Sequence, residues 1–476
     1  MRGWFASLLL VLLLAPGFVG PAAADPSFGP DARRIVKAGF AANDIGFVVV
    51  DLDQVRPVVE WNADQLFIPA SVAKLATVYA AEQILGPDFR FRTRLWRAGG
   101  TLYLQGGGDP VLTNIELRDL ARMLKDVKID GGWRALVYDA SALEGAPEVD
   151  DGQPIQAVYN AGFGALDLDF NRVQVNWLRG EDGRLGFKAR MVADGLNVPA
   201  DWISFLPATT EPPPGANFLY AGDRNGERWL TAPDLAETLP EEGAIFLPVK
   251  DPALNTARVF RRMAADLGAA LPAPAAGVVP ADAELIGTVE SPPLSEIIKG
   301  LLKFSNNVTA ELIGATAMRK LAGRVLSQAE SGAALTAWLK QRFPAIEWRG
   351  LALVNHSGLG NRNRASPRQI AGILTALSRD PVLAGLMNRI MTDDPKAEAA
   401  AKTGTMDFAC GLGGLFTGKS GRRFAFAMFV YDRNRRARLD ADSDRRILAP
   451  TPGAESWLGR AHALEYALLK DWRDRL

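Results

Sequence analysis

Two apolar runs, Phe47 to Val50 and Val58 to Trp61, flank a polar stretch near the start of the chain, the pattern of a β-hairpin. The period changes immediately afterwards in FIPASVAKLATVYAAEQILGP (67–87), where Pro69 and Ala70 lead into a helix and Gly86-Pro87 stop it. From RFRTRLW and TLYLQGGGDPVLT onward, short strands punctuated by Gly and Pro predict a β-rich stretch to about residue 249. Within it, Gly106-Gly107-Gly108 lacks a following Gly-Lys-Ser/Thr and reads as a tight turn, not a phosphate cradle. Helical spacing returns after Asp251 in ALNTARVFRRMAADLGAAL, and a Pro/Ala-rich linker (271–282) precedes PPLSEIIKGLLKFSNNVTAELIGATAM. Near the end, GLGGLFTGKSGRRFAFAMFVYD places two apolar runs around Gly418-Lys419-Ser420-Gly421, a second hairpin. The closing ESWLGRAHALEYALLKDWRDRL sets Trp457, Ala461, Leu464 and Leu468 at helical spacing. Its charges are mixed in sign, so the helix is expected to pack on the hairpin sheet and not on a membrane.

These elements predict an α/β (α+β) chain. Its N- and C-terminal strands are expected to share one antiparallel sheet flanked by helices, interrupted by a long β-rich insertion. The expected boundaries are 1–24, 25–90 (first part of the sheet-and-helix domain), 91–249 (β-rich insertion) and 250–476 (second part). The opening MRGWFASLLLVLLLAPGFVGPAAADP reads as a secretory signal peptide. Arg2 is its positive region, Ala6 to Leu14 its apolar core, and Ala22-Ala23-Ala24 its cleavage site before Asp25. That apolar run is too short to span a bilayer, so the mature chain is expected to be exported without an integral membrane segment.

Composition narrows the chemistry. Lys+Arg and Asp+Glu are equal at 54 each, leaving no long-range field to attract nucleic acid or anionic lipid. Cys410 is the single cysteine, so an exported chain without a disulfide must rely on its cores. With only His356 and His462 beside it, little material is left for a zinc site, and neither a metal nor a cofactor is expected. Cys410 reads as a small buried packer and His356 as a loop residue.

Ser71 and Lys74 are three apart and therefore neighbours on one helix face. Alone, the pair fits an exposed lysine on a surface helix as well as it fits a serine nucleophile with a lysine base. Two further signals change the balance. KFSNNV places Ser305 and Asn307 two apart just after a helix, and AAAKTGTMDF carries Lys402-Thr403-Gly404-Thr405. Ser-x-x-Lys, Ser-x-Asn and Lys-Thr-Gly each occur once, in that order; chance supplies the last about a tenth of a time in such a chain.

In order and surroundings these motifs resemble the penicillin-recognising serine peptidases. The resemblance narrows to the three-domain D-alanyl-D-alanine carboxypeptidase/endopeptidases, the class C low-molecular-mass penicillin-binding proteins. Ser71 and Ser305 are 234 residues apart, room for the long insertion these enzymes carry. LQGGGDPVLT, YNAGFGALDLDFNRV and SPPLSEIIKGLLKFSNN also look familial, so the similarity spans nearly the whole mature chain. It implies a penicillin-binding transpeptidase/β-lactamase-like fold and a periplasmic DD-peptidase of peptidoglycan stem peptides. Such an enzyme removes terminal D-Ala, with D-Ala–diaminopimelate crosslinks as a further candidate bond, and is acylated by β-lactam inhibitors. The alternatives on the same residues are a serine β-lactamase or esterase, and a non-catalytic cell-wall-binding scaffold.

The resemblance also implies roles. Ser71 is the nucleophile and Lys74 its base. Ser305 passes a proton to the leaving group, and Asn307 binds the penultimate amide. Lys402, Thr403 and Thr405 meet the terminal carboxylate, Gly404 admits the substrate backbone, and the N–H groups of Ser71 and Thr405 form the oxyanion hole. Physical chemistry agrees where it can speak. A helix start favours developing negative charge, and a lysine works as a base only if burial or a second cation keeps it neutral. The chain departs from its relatives in NHSGLGNRN, where Asn355 and His356 replace Asp-Gly and Asn361 stands where Arg is usual. Gln153 and Pro154 replace the acid that relatives use for the diaminopimelate side chain, with Asp150, Asp151 and Arg362 nearby.

Overall fold

The computed structural model describes residues 30–476 except 128, 194, 210–216, 223–225, 388, 392–397, 443–445 and 448–449. The expected signal peptide (1–24) lies outside these residues. Among them, no helix is long and apolar enough to cross a membrane.

The organising element is a six-stranded sheet built from both ends of the chain. Its strands are β1 (Ile45–Asp51), β2 (Arg56–Trp61), β3 (Arg389–Met391), β4 (Glu398–Met406), β5 (Ala409–Thr417) and β6 (Arg423–Tyr431), in the order β3-β4-β5-β6-β1-β2. Each neighbouring pair is antiparallel. The sequence RFAFAMFVY explains why β6 is central: after Arg423 every residue is buried, as a strand covered on both faces requires. β3 pairs only with Glu398–Ala400, so Lys402 to Met406 keeps one edge with no strand beside it among the described residues.

One face is covered by α1 (Lys74–Leu85), α2 (Leu294–Phe304), α3 (Asn307–Ala322) and the helix Pro367–Leu377. KLATVYAAEQIL in α1 is apolar on nearly all sides, and its residues from Lys74 to Glu82 are buried, the signature of a core helix. Gly86 ends it with φ 93°, a conformation that glycine adopts without strain. The other face is covered by α4 (Ala454–Arg475). Trp457, Ala461, Leu464 and Leu468 are buried there, and Trp472 packs 5.1 Å from the Phe47 ring. Each such aromatic or leucine contributes about 1.5–3 kcal/mol of burial, so α4 is held on the sheet by its own apolar stripe.

Between α1 and α2 the chain forms a second core of Leu102, Val173, Met191, Trp229, Phe260 and their neighbours. A four-stranded and a three-stranded sheet lie within residues 172–248. A five-stranded sheet joins Arg92–Ala98, Thr101–Gln105 and Ala135–Asp139 to Pro274–Ala276 and Glu284–Glu290. The helix Pro252–Asp266 fills the same second core. Residues 252–290, grouped by sequence pattern with the second part of the sheet-and-helix domain, therefore pack with the inserted strands.

Candidate active site

Ser71 sits in a tight 3-10 turn, Ala70–Ala73, that runs directly into α1. Ala70 holds φ 45°, a left-handed conformation that costs a non-glycine residue about 1–3 kcal/mol. Close packing maintains it. A Cβ on Gly358 would lie 2.0 Å from the Ala70 carbonyl oxygen, and one on Gly404 would lie 2.6 Å from that of Pro69 and 3.1 Å from the Ser71 nitrogen. Only glycine lets the β4 backbone approach the nucleophile this closely.

Lys74 follows one turn later and is fully buried. Its Nζ lies 2.9 Å from Ser71 Oγ, 2.7 Å from Asn307 Oδ1 and 2.8 Å from the Ser357 carbonyl oxygen. Burial drives its pKa well below the ordinary lysine value, the charge of Lys402 pushes the same way, and Glu311 opposes both. Asn307 is aimed by the junction between α2 and α3. Ser305 ends α2 in the left-handed conformation (φ 57°), and the Asn306 side chain caps α3 by accepting from the Thr309 N–H at 2.9 Å. Asn307 Nδ2 donates to the Tyr159 carbonyl at 2.9 Å, which fixes its Oδ1 toward Lys74.

Gly404 on β4 closely approaches the backbone of Ser71. Lys402 is buried, which lowers its pKa to about 8, and its Nζ donates to the Thr403 carbonyl at 2.7 Å. Thr403 and Thr405 are exposed on the open edge of β4. Ser71, Ser305, Asn307 and Thr405 line one cleft of 720 Å³, together with Tyr159 and Gln153. Four of the residues singled out in the sequence thus meet in one cleft from three distant segments, with Lys74 buried beside Ser71, whereas Lys402, Thr403 and Gly404 are not among its lining residues.

Three contributors escape motif reading. The Ser357 carbonyl is one. The second is Glu311, buried on α3, whose carboxylate accepts the N–H groups of His356 (3.1 Å) and Ser357 (2.9 Å) and so holds the turn that presents this carbonyl. The third is Tyr159, which reaches the site from the inserted region. The spacing Asn306-x-x-Thr309 is a capping signal that could have located the α3 start. Nothing local in sequence links Glu311 to residues 356–357.

Where the chain departs from its relatives, the side chains are structural. Asn355 Oδ1 accepts from the Gly358 N–H at 2.9 Å, knitting the turn. His356 is buried and held neutral, its pKa pushed down to about 3, with Nε2 2.7 Å from Ser331 Oγ. It faces away from the cleft and completes no triad with Ser71. Arg362 pairs with both Asp150 (3.3 Å) and Asp151 (3.0 Å), one cation shared between two carboxylates.

Comparison with known proteins identifies the family and the fold. The family described as D-Ala-D-Ala carboxypeptidase 3 (S13) matches residues 33–447. The chain is 27% identical over 421 residues to the D-alanyl-D-alanine carboxypeptidase of an Actinomadura species, covering 79% of this chain and 76% of that protein. Its fold superposes on the crystal structure of penicillin binding protein 4 (dacB) from Haemophilus influenzae with a TM-score of 0.71 at 20% identity, over 90% of this chain and 96% of that one. The same Haemophilus protein complexed with a β-lactam superposes at 0.69, with 19% identity and the same coverage.

Proposed function

From the premise that this chain belongs to the D-Ala-D-Ala carboxypeptidase 3 (S13) family, and so is a serine-type D-Ala-D-Ala carboxypeptidase, we propose how its own residues do the work. Ser71 is the nucleophile and Lys74 the base. The carrying observation is the set of three neighbours around Lys74 Nζ. A neutral amine has two hydrogens and one lone pair. Asn307 Oδ1 and the Ser357 carbonyl can only accept, so they take both hydrogens, and the lone pair points at Ser71 Oγ.

With the stem peptide laid along the open edge of β4, Ser71 Oγ attacks the carbonyl carbon of the penultimate D-Ala while its proton passes to Lys74. The oxyanion meets the N–H groups of Ser71 and Thr405. The C–N bond then breaks, and the terminal D-Ala leaves as an amine that takes the proton by way of Ser305. Water releases the acyl group and regenerates the hydroxyl. Lys402, protonated below about pH 8, and the hydroxyls of Thr403 and Thr405 hold the substrate's terminal carboxylate. The second proton on Asn307 Nδ2 remains for the penultimate amide, and Gly404 leaves room for the backbone.

D-Ala–diaminopimelate crosslinks present the same D-Ala carbonyl and fit the same edge, so endopeptidase action belongs to this reading. β-Lactams mimic the dipeptide and should acylate Ser71. Substrate and signal sequence together imply a periplasmic location. Purified muropeptides incubated with the protein should lose terminal D-Ala by mass spectrometry, and the Ser71→Ala variant should leave them intact. Intact muropeptides with rapid penicillin turnover would favour a β-lactamase instead, and neither activity would favour a scaffold.

A further inference from the structure

On the face of the sheet turned away from Ser71, the fold gathers the single cysteine, one of the two histidines and a buried glutamate. Cys410 lies on β5 directly opposite Thr405 and is fully buried beneath α4. His462 and Glu465 are three apart on α4 and share one face of it. Cys410 Sγ lies 3.5 Å from Glu465 Oε1, and His462 Nδ1 lies 2.9 Å from Glu465 Oε2. One ligand atom from each residue falls within 4.8 Å of the others.

We propose that Cys410, His462 and Glu465 form a binding site for a thiophilic divalent cation, zinc by preference, that braces α4 to the catalytic sheet. The donor set is the first argument. Sulfur, imidazole nitrogen and one carboxylate oxygen suit zinc, whereas calcium and magnesium require mostly oxygen. Geometry is the second. Zinc bonds of about 2.3 Å to sulfur and about 2.1 Å to oxygen set the tetrahedral S···O edge at about 3.6 Å. The observed separation is 3.5 Å. His462 Nδ1 contacts the other carboxylate oxygen, Oε2, at 2.9 Å, so coordination through Oε1 would require the imidazole to swing from Oε2 onto the metal.

Charge is the third argument. Glu465 is 1% exposed, and desolvation there penalises a bare carboxylate. Binding would expel the thiol proton of Cys410 and the proton shared by His462 and Glu465. The dication with one thiolate and one carboxylate is then formally neutral, which a low-dielectric core tolerates. The His462 side chain is 32% exposed, giving an entry path and room for a water as fourth ligand. One ligand comes from the sheet and two from the helix, a crosslink that a chain with a single cysteine cannot make as a disulfide.

The test uses the full mature protein, stripped with a chelator and titrated with cobalt(II). One equivalent should bind with a thiolate-to-cobalt charge-transfer band in the near ultraviolet, and one equivalent of zinc should abolish it. Cys410→Ser should remove the band, and His462→Ala should weaken cobalt affinity about a hundredfold or more. Zinc should raise the melting temperature of the wild type but not of Cys410→Ser, whose cooperative melt without metal shows that it is folded. A wild type lacking the charge-transfer band overturns the proposal. So does cobalt affinity unchanged in both variants, which would mark adventitious binding elsewhere.

Discussion

On one face of the six-stranded sheet Lys74 is buried beneath a cleft; on the other Glu465 is buried beneath a helix. Both are charged residue types in apolar surroundings, and burial pushes each toward its neutral form. They differ in what surrounds them. Around Lys74 two pure acceptors and one hydroxyl leave a lone pair directed at an open cleft. Around Glu465 the partners are a thiol and an imidazole, each hydrogen-bonded to one of its two oxygens, with no cleft at the group itself among the described residues. Burying an ionisable group is therefore not itself catalytic. The number and kind of hydrogen-bond partners, and whether a reactant can reach the remaining valence, decide what the perturbed group can do.

The sharpest way to break this contrast is to remove one group from each face. Lys74→Ala should slow acylation by roughly 10²–10⁴-fold even at saturating substrate, because proton transfer is lost. Trp472→Ala on the other face should cost about 3–5 kcal/mol of stability in denaturant unfolding and leave the pH profile of acylation in place. If Trp472→Ala moves that profile, the two faces are not independent.

Glu311 tests whether the support of Lys74 is geometric or electrostatic. Glu311→Ala strands the N–H groups of His356 and Ser357, each worth about 1–3 kcal/mol when buried without a partner, and should lower both stability and acylation. Glu311→Gln removes the charge that favours the Lys74 ammonium and keeps an acceptor for only one of the two N–H groups, so its stability should fall between those of the wild type and Glu311→Ala. Lys402, which favours the neutral amine, is unchanged, so the acid limb of kcat/KM should move to lower pH. A limb that stays put or moves upward would leave Glu311 only its structural role.

Lys402 should write the alkaline limb. As pH rises through about 8 its ammonium is lost, and kcat/KM should fall by up to about tenfold per pH unit. In Lys402→Arg the charge persists, so the limb should vanish even if the overall rate drops. Amidating the substrate's terminal carboxylate should harm the wild type more than Lys402→Ala; equal harm would mean that Lys402 does not read it.

The smallest effect concerns the stem-peptide side chain. Gln153 faces the cleft, while Asp150 and Asp151 lie outside its lining and share Arg362 as their cation. Peptides with a free and a capped side-chain amine should therefore differ in kcat/KM by less than about a hundredfold, equivalent to about 2.7 kcal/mol. A larger preference would mean that an acid is reading the ammonium, and Asp151→Ala would be the first variant to assay.

Much of this was legible in the sequence because it was local. The hairpins, α1 with its Gly86 stop, and α4 with its apolar stripe each follow from periodicity within a single segment. Ser71, Lys74, Ser305, Asn307 and Lys402 to Thr405 were recognisable by motif, although roles for them come from resemblance and physical argument. What stayed hidden depends on contacts between distant segments. The helix Pro252–Asp266 carries a helical pattern wherever it packs, and only pairing of Glu284–Glu290 with Arg92–Ala98 reveals its company. Glu311 reads as any charged residue on a helix until the fold brings residues 356–357 onto it. Composition likewise gave no reason to join Cys410 to His462 and Glu465, which meet only because α4 lies across β5.

The central claim is that Ser71 is the residue acylated. The direct measurement is peptide mapping by mass spectrometry after incubation with a labelled penicillin, on the wild type and on Ser71→Ala. The account predicts one acyl adduct, on the peptide containing Ser71, and none in a variant that still melts cooperatively. An adduct on another residue of the wild type, or one that survives in Ser71→Ala, would contradict it.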